Sequence, residues 1–298
     1  MNIEKWFEIN TKDLTGKTVV ITGATGGIGE QLCLYLAKLN ANLILACRQN
    51  NKADNLIKRI LIDYPNAKVK TLPLELTDFV SINNFIKKVE KVKIDYFIHN
   101  AGIYNVKRKE TSAEIDNIFQ VNFAAPYYIT KELLTHFRKC KTKVIATSSL
   151  AHNYSKIDAS DIEFRTRKKA SIVYGNSKRF LTFALFELFK TETETTLAIT
   201  HPGVTLTNIT NHYHWSINWL VKIGIKLLFP SVKKATLHII KALFEDCNYL
   251  EWIGPTKLSV WGKPKKTLLQ TCSENERTKI FEIAEKYFNR INNNNNNN

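Results

Sequence analysis

The chain has 298 residues, 44% of them hydrophobic, with 43 Lys+Arg against 27 Asp+Glu for a formal charge of +16. That length and apolar content suffice for a sizeable core, and the charge favours anionic partners such as phosphates or an anionic membrane surface. The basic residues are spread out, without zinc-finger spacing, an RNP-like stretch or a basic heptad segment, which argues against a nucleic-acid reader; no run of about 18 uncharged apolar residues occurs to span a membrane.

Residues 1–10 (MNIEKWFEIN) carry acids and a Trp with no apolar h-region, and so do not read as a secretory signal. Short apolar runs then alternate with amphipathic stretches. Strands are expected at Lys17–Thr22, Asn42–Cys47, Lys68–Leu74, Ile94–His99, Lys143–Ser148 and Thr196–Thr200. Helices are expected at Gly27–Leu39, near Lys52–Asp63, and at Phe79–Val92, Ala113–Arg138 and Tyr174–Lys190. This alternation predicts an α/β protein, a doubly wound parallel sheet of Rossmann type. Beyond it, residues 247–264 read as a last strand and a Gly/Pro-punctuated loop, and Ser273–Arg290 as an amphipathic helix opened by a capping box, Ser273 to Glu276. One domain is expected over 1–291, with the poly-Asn run 292–298 disordered. The five cysteines, Cys33, Cys47, Cys140, Cys247 and Cys272, are far apart and form no C-x-x-C, which suits reduced thiols in a reducing, cytoplasmic compartment.

Between the first strand and first Rossmann helix lies TGATGGIG, residues 22–29. Glycines in such a turn let the backbone approach a pyrophosphate, and the unpaired N–H groups of the following helix face the anion. Two spacings fit: T-G-x-x-x-G-x-G through Gly23, Gly27 and Gly29, or T-G-x-x-G-x-x-G through Gly23, Gly26 and Gly29. The second strand ends on Arg48, with no acid between Ala41 and Asn51. A guanidinium there suits a ribose 2′-phosphate, with Lys52 and Lys17 adding to the field. Further on come His99-Asn100-Ala101-Gly102, Val121-Asn122, Ser148-Ser149, Tyr174-Gly-Asn-Ser-Lys178 and His201-Pro202-Gly203. Tyr174 and Lys178 stand at i and i+4 on one helix face. In an open α/β sheet the strand ends carrying these groups converge on one crevice.

Taken in this order, TGATGGIG, Asn100–Gly102, Asn122, Ser149, YGNSK and His201–Gly203 resemble the short-chain dehydrogenase/reductase family over roughly residues 15–210. ACR at 46–48, SSLAH at 148–152 and the long spacer before Tyr174 are similar to its retinol-dehydrogenase and WW-domain-oxidoreductase-like branch, although no WW domain is visible. Asn122 and the short remainder after Gly203 favour the dehydrogenase-type glycine set, Gly23, Gly27 and Gly29, with Gly26 permissive.

The resemblance implies an enzyme that moves hydride between a nicotinamide cofactor and a lipophilic carbonyl or alcohol. NADP(H) is expected from Arg48, with NAD(H) open. Tyr174 would exchange the proton with the substrate oxygen and Ser149 hydrogen-bond that oxygen. Lys178 would depress the Tyr174 pKa and hold the nicotinamide ribose, and Asn122 would position a water in a proton relay. The cofactor would lie against Gly23, Thr25, Gly27, Ile28, Gly29, Arg48, Glu75, Leu76, Asn100, Ala101, Gly102, Val121, Tyr174, Lys178, Pro202, Gly203, Val204, Thr205 and Thr207. Glu75 replaces the Asp that the family uses against adenine, with Asp78 as the alternative. His99 replaces a residue often Asn in the family and is expected to end a strand without chemistry. Residues 204–230 correspond to a substrate lid; a packed helix, a homodimer contact and a membrane-facing segment all suit their aromatic and aliphatic character. His212 and His214 lack a third ligand, so no metal site is expected. A catalytically idle member that binds NADP in a regulatory or structural role is the alternative, against which all four catalytic positions are occupied.

Overall fold

A computed structural model describes residues 2–48, 51–203, 230–257 and 259–296. In chain order the elements are α1 (Ile3–Asn10), β1 (Thr18–Thr22), α2 (Gly27–Lys38), β2 (Asn42–Cys47), α3 (Asn51–Asp63), β3 (Val69–Pro73), α4 (Phe79–Val89), β4 (Tyr96–His99) and α5 (Asn117–Phe119). A π-turn (Gln120–Ala124) leads into α6 (Ala125–Glu132), α7 (Leu134–Cys140) and β5 (Lys143–Thr147). A 3-10 turn (Leu150–Asn153) precedes α8 (Ala170–Leu188), β6 (Thr196–Thr200), α9 (Val232–Phe244), β7 (Glu251–Lys257), β8 (Trp261–Leu268) and α10 (Glu274–Asn296).

The eight strands form one sheet in the order β3-β2-β1-β4-β5-β6-β7-β8, parallel except for the antiparallel β7/β8 pair. The central strands β1, β2, β4, β5 and β6 are buried along nearly their whole length because helices cover both faces, whereas β8 at the edge is largely exposed. Alternate residues feed opposite cores: Val20, Ile44, Phe97 and Val144 join the cluster with α4, α6, α8 and α10, while Val19, Ile21, Leu43 and Leu45 join the cluster with α1, α2, α3 and α9. The winding reverses between β1 and β4, so a crevice opens above their C-terminal ends.

Four departures from the sequence reading have identifiable causes. The expected helix 113–138 is broken. Pro126 has no N–H to give the Asn122 carbonyl, so the ladder widens into the π-turn that carries Asn122. The region 247–264 yields two strands, β7 and β8, paired antiparallel. Only half of the capping box forms: the Glu276 N–H donates to Ser273 Oγ (3.3 Å), while the Glu276 carboxylate goes to Arg179. Finally, α10 runs to Asn296, into the stretch expected to be disordered; Asn292 is held by the Tyr128 hydroxyl and by Glu132.

Candidate active site

The glycine loop is shaped by backbone contact. Gly23 has φ +66, and a Cβ there would lie 2.7 Å from Ala101 Cα; at Gly29 a Cβ would lie 2.2 Å from the Gly23 carbonyl oxygen. Neither position admits a side chain. Gly26, by contrast, sits at φ −89 as the N-cap of α2, and a Cβ there comes no closer than 3.4 Å to the Gly23 oxygen. A side chain at Gly26 would thus meet only ordinary contact. No side chain caps α2, so its first-turn N–H groups are left for an anion. Thr25 lines a cleft of ≈ 260 Å³ beside the loop, together with Glu30, Lys52, Asn55, Leu56 and Arg59. Ile28 packs against the core behind it. A backbone cradle with no room for Cβ atoms, facing an uncapped helix, fits a dinucleotide pyrophosphate.

Asn100 and Ala101 are tied to this loop by a residue the sequence reading missed. Thr22 Oγ1 accepts from both the Asn100 and Ala101 N–H groups (3.1 Å each), and Asn100 Nδ2 donates to the Thr22 and Gly23 carbonyls (3.2 and 3.1 Å). The Thr of T-G-x-x-x-G-x-G was the available signal. Leu76 is buried and its carbonyl takes the Gln120 side chain, while the Val121 side chain lies in the core. Only the backbone of Val121 is therefore left to face a ligand. His99 is likewise a core residue: Nε2 pairs with Thr130 Oγ1 (2.8 Å), and burial lowers its pKa to about 3.

At the ribose end, the local sequence window misled. Arg48 is exposed at the end of β2, as expected, but Glu75, arriving from β3, stands 3.8 Å from its Nε. The guanidinium thus has a carboxylate neighbour that no reading of residues 41–51 reveals. Glu75 Oε1 is engaged by the Thr77 N–H and hydroxyl (3.1 and 2.8 Å), and Asp78 is spent capping α4 through Val80 N–H. Lys17 lies at the other end of β1 from Gly23 and pairs with Asp95 (2.9 Å), so it adds nothing at the phosphate end.

The second constellation gathers at the ends of β4, β5 and β6. Lys178 is buried and donates through Nζ to the Thr147 carbonyl (2.8 Å) at the end of β5. A Cβ on Gly102 would lie 3.4 Å from that Nζ and 3.3 Å from Asn122 Oδ1, so glycine lets the Asn100–Gly102 loop approach both. The Asn122 side chain accepts from Ile103 N–H (2.8 Å) and donates to the Ile103 carbonyl (2.9 Å) and Ser177 Oγ (3.0 Å). Tyr174 stacks edge-to-face on Tyr104, with ring centroids 5.3 Å apart, and Lys178 Nζ lies 5.8 Å from its ring centre. No periodicity or motif pointed to Tyr104.

Burial raises the Tyr174 pKa to about 12, opposed by a hydrogen bond with the Ser149 hydroxyl; burial also lowers Lys178 to about 8. The expected influence of Lys178 on Tyr174 is not among the causes of this shift. The Lys178 ammonium makes its hydrogen bond to the Thr147 carbonyl rather than to the phenol. Ser149 caps the 3-10 turn through Ala151 N–H (3.2 Å) and faces Tyr174, whereas Ser148 turns inward to Thr182 (2.5 Å). Pro202 is buried, and Gly203 (φ +81) abuts the Val260 carbonyl and Pro255. Val204, Thr205, Thr207, His212, His214 and the rest of the expected lid segment to residue 229 lie outside the described residues. Among the described residues, no group of three metal-ligating side chains occurs and no helix is long and apolar enough to cross a membrane.

A doubly wound sheet with this glycine cradle and a Ser/Tyr/Lys cluster above its strand ends defines a nicotinamide-dependent oxidoreductase of the Rossmann class. The family described as short chain dehydrogenase matches residues 17–215, and the chain belongs to that family, in its retinol-dehydrogenase-like branch; it is an oxidoreductase acting on CH–OH and C=O groups. It is 29% identical over 271 residues to retinol dehydrogenase 12 of Mus musculus, spanning 89% of this chain and 83% of that one. Over 205 residues it is 33% identical to retinol dehydrogenase 13 of Homo sapiens, spanning 67% of this chain and 62% of that one. A crystal structure of an uncharacterised protein from Mycobacterium paratuberculosis shares the fold, with a TM-score of 0.75 and 22% identity over 94% of this chain and 96% of that one.

Proposed function

We propose that the protein interconverts a lipophilic carbonyl compound and its alcohol with NADP(H), through Tyr174, Ser149, Lys178 and Asn122. The observation that carries this reading is the Ser149–Tyr174 pair with Lys178 one helical turn on, set at the strand ends beside the glycine cradle. The cradle from Gly23 to Gly29, with Thr25 and the α2 N-terminus, would hold the pyrophosphate; Arg48 would take the 2′-phosphate. When bound, the nicotinamide supplies or accepts the hydride.

The chain's own work is placement and proton handling. With its pKa near 12, the Tyr174 phenol is protonated at neutral pH, the form that donates to a carbonyl oxygen during reduction. Ser149 Oγ hydrogen-bonds the same oxygen and steadies the charge that builds there. Lys178, at about 8, is mostly charged at neutral pH and favours the proton's departure from Tyr174 Oη. The Asn122 side chain is committed to Ile103 and Ser177, so its part in a proton path runs through its main-chain carbonyl, to which Pro126 gives no helical N–H. The retinol named in its relatives' names supports a lipophilic alcohol as substrate class.

The test is a panel of lipophilic aldehydes and ketones with NADPH, followed by loss of nicotinamide absorbance, for wild type and Tyr174→Phe. The variant keeps the ring and loses the proton donor, so the rate should fall at least ~100-fold with NADPH affinity intact. A Tyr174→Phe enzyme that kept most of its rate would remove Tyr174 from the chemistry.

A further inference from the structure

Arg179, the residue after Lys178, is 2% exposed and among the largest fully buried side chains. It makes a two-pronged pair with Glu276 of α10 (Nε–Oε1 2.8 Å, Nη2–Oε2 2.6 Å) and donates to the carbonyls of Thr271 (2.9 Å) and His152 (3.0 Å). Glu276 Oε1 also accepts from the Ile157 N–H (3.2 Å). Burying an ion pair is poor value as a source of stability, since an apolar pair of the same volume often serves as well. What a fork with four fixed contacts does supply is geometry.

Those contacts converge on the turn behind Ser149. His152 Nδ1–H donates to the Ser149 carbonyl (2.7 Å), so its Nε2 accepts, and the Thr271 hydroxyl donates to it (2.8 Å). The ring is wedged edge-on against Trp252 and Phe183, and burial keeps it neutral, with a pKa lowered to about 4. The same turn is pressed onto α8 beside Tyr174. A Cβ on Gly175 would lie 2.2 Å from the Ala151 carbonyl oxygen, so only glycine allows this approach. Glycine within a helix is destabilising relative to Ala, a cost that close docking explains.

We propose that Arg179, Glu276 and His152 are positioning residues: they clamp the turn that aims Ser149 at Tyr174, so that the C-terminal helix α10 sets the geometry of the proton-exchanging pair. The inference rests on the reading of Ser149 and Tyr174 given above. It extends that reading to a segment beyond the stretch matched by the family, which ends at residue 215.

Three variants test it: Glu276→Gln, Thr271→Val and Ser149→Ala. Each is measured for folding by thermal melt, NADPH affinity by fluorescence, kcat, and the pH dependence of alcohol oxidation. Glu276→Gln should lose about 10- to 100-fold in kcat, the effect of a misplaced group, with NADPH affinity unchanged. Thr271→Val removes only the hydroxyl that fixes the His152 ring, and should lose less. In both, the rise of oxidation rate with pH should move to higher pH, because a loosened Ser149 no longer lowers the Tyr174 pKa; a merely structural lesion would not move it. Wild-type kcat and pH profile in folded Glu276→Gln and Thr271→Val, with Ser149→Ala inactive, would overturn the clamp and leave the reading of the site standing. A wild-type rate in Ser149→Ala would overturn that reading itself, and the clamp with it. If Glu276→Gln fails to fold, Thr271→Val decides by the same criteria.

Discussion

The two halves of the crevice are built differently. On the nucleotide side, from β1 to β4, the site is a matter of backbone: glycines that tolerate no Cβ, an uncapped helix, and Thr22 stitching two neighbouring loops. On the proton side, from β5 onward, it is a matter of side chains recruited from far apart in sequence, with Arg179 reaching Glu276 and His152 reaching Thr271. A backbone cradle is local and announces itself as a motif. A side-chain assembly depends on which distant segments the fold brings together. The difference predicts that lesions on the first side abolish cofactor binding and spare the proton chemistry's geometry, and that lesions on the second do the reverse.

The sharpest break is at Gly29. Gly29→Ala would force a methyl to 2.2 Å from the Gly23 oxygen, which the loop can relieve only by losing its shape. NADPH affinity should fall at least ~100-fold, the scale of losing a few kcal/mol of preorganised contact. Gly26→Ala, with 3.4 Å of room, should bind nearly as wild type. Fluorescence titration of both variants checks this. Equal losses would mean that the loop reads its glycines as a set rather than through individual contacts.

What was legible in the sequence follows the same division. The strands β1 to β6 could be placed within a few residues because each is a short apolar run between turn signals. The glycine loop, Asn100–Gly102 and the Tyr174–Lys178 pair stand out in the sequence as candidates because their spacing is local. Three things were not. The Arg48–Glu75 approach joins the ends of two strands that are neighbours only in the sheet. The raised Tyr174 pKa depends on burial, which spacing does not report. The diversion of Glu276 from its capping box to Arg179 is a choice between a local and a distant partner, settled by the packing of α10 on α8. Gly175 was the one visible hint, a glycine where a helix former was affordable.

Acid should distinguish the halves as well. Burial lowers the pKa values of His99, His152, His201 and His238 to between about 3 and about 4, and the last three lie on the proton side or on α9 beneath it. Unfolded, a histidine titrates near 6.5, so between about 6.5 and 4 the unfolded chain binds more protons than the folded one. Stability from keeping these rings neutral is therefore complete above about pH 6.5 and is lost as pH falls toward 4. The slope is up to about 1.4 kcal/mol per pH unit for each ring. Hydrogen exchange at pH 7 and pH 5 should show β6, β7 and α9 losing protection before β1 and β2. Uniform loss across the sheet would mean that the histidines titrate only after global unfolding.

Cofactor choice gives the next largest effect. Arg48→Asp replaces a 2′-phosphate partner by a repelling carboxylate. A charge-assisted hydrogen bond of about 1.5–3 kcal/mol corresponds to roughly a 10- to 150-fold preference, so NADPH affinity should drop on that scale with NADH affinity little changed. If both cofactors weaken alike, Arg48 does not read the phosphate.

The smallest effect separates two roles for Glu75. The resemblance assigns it to the adenine; the geometry also makes it a competitor for Arg48, at 3.8 Å. Arg48 is 74% exposed and Glu75 37%, so their attraction is screened and worth at most about 1 kcal/mol. Glu75→Gln keeps the oxygen that accepts from Thr77 and removes the charge that draws Arg48 away from a phosphate. NADPH affinity should rise by no more than about fivefold, with NADH affinity unmoved and the gain shrinking as salt is raised. Glu75→Ala provides the contrast. If it weakens NADPH and NADH equally, the carboxylate serves the adenine; if it raises NADPH affinity as Glu75→Gln does, its main influence is the one it exerts on Arg48.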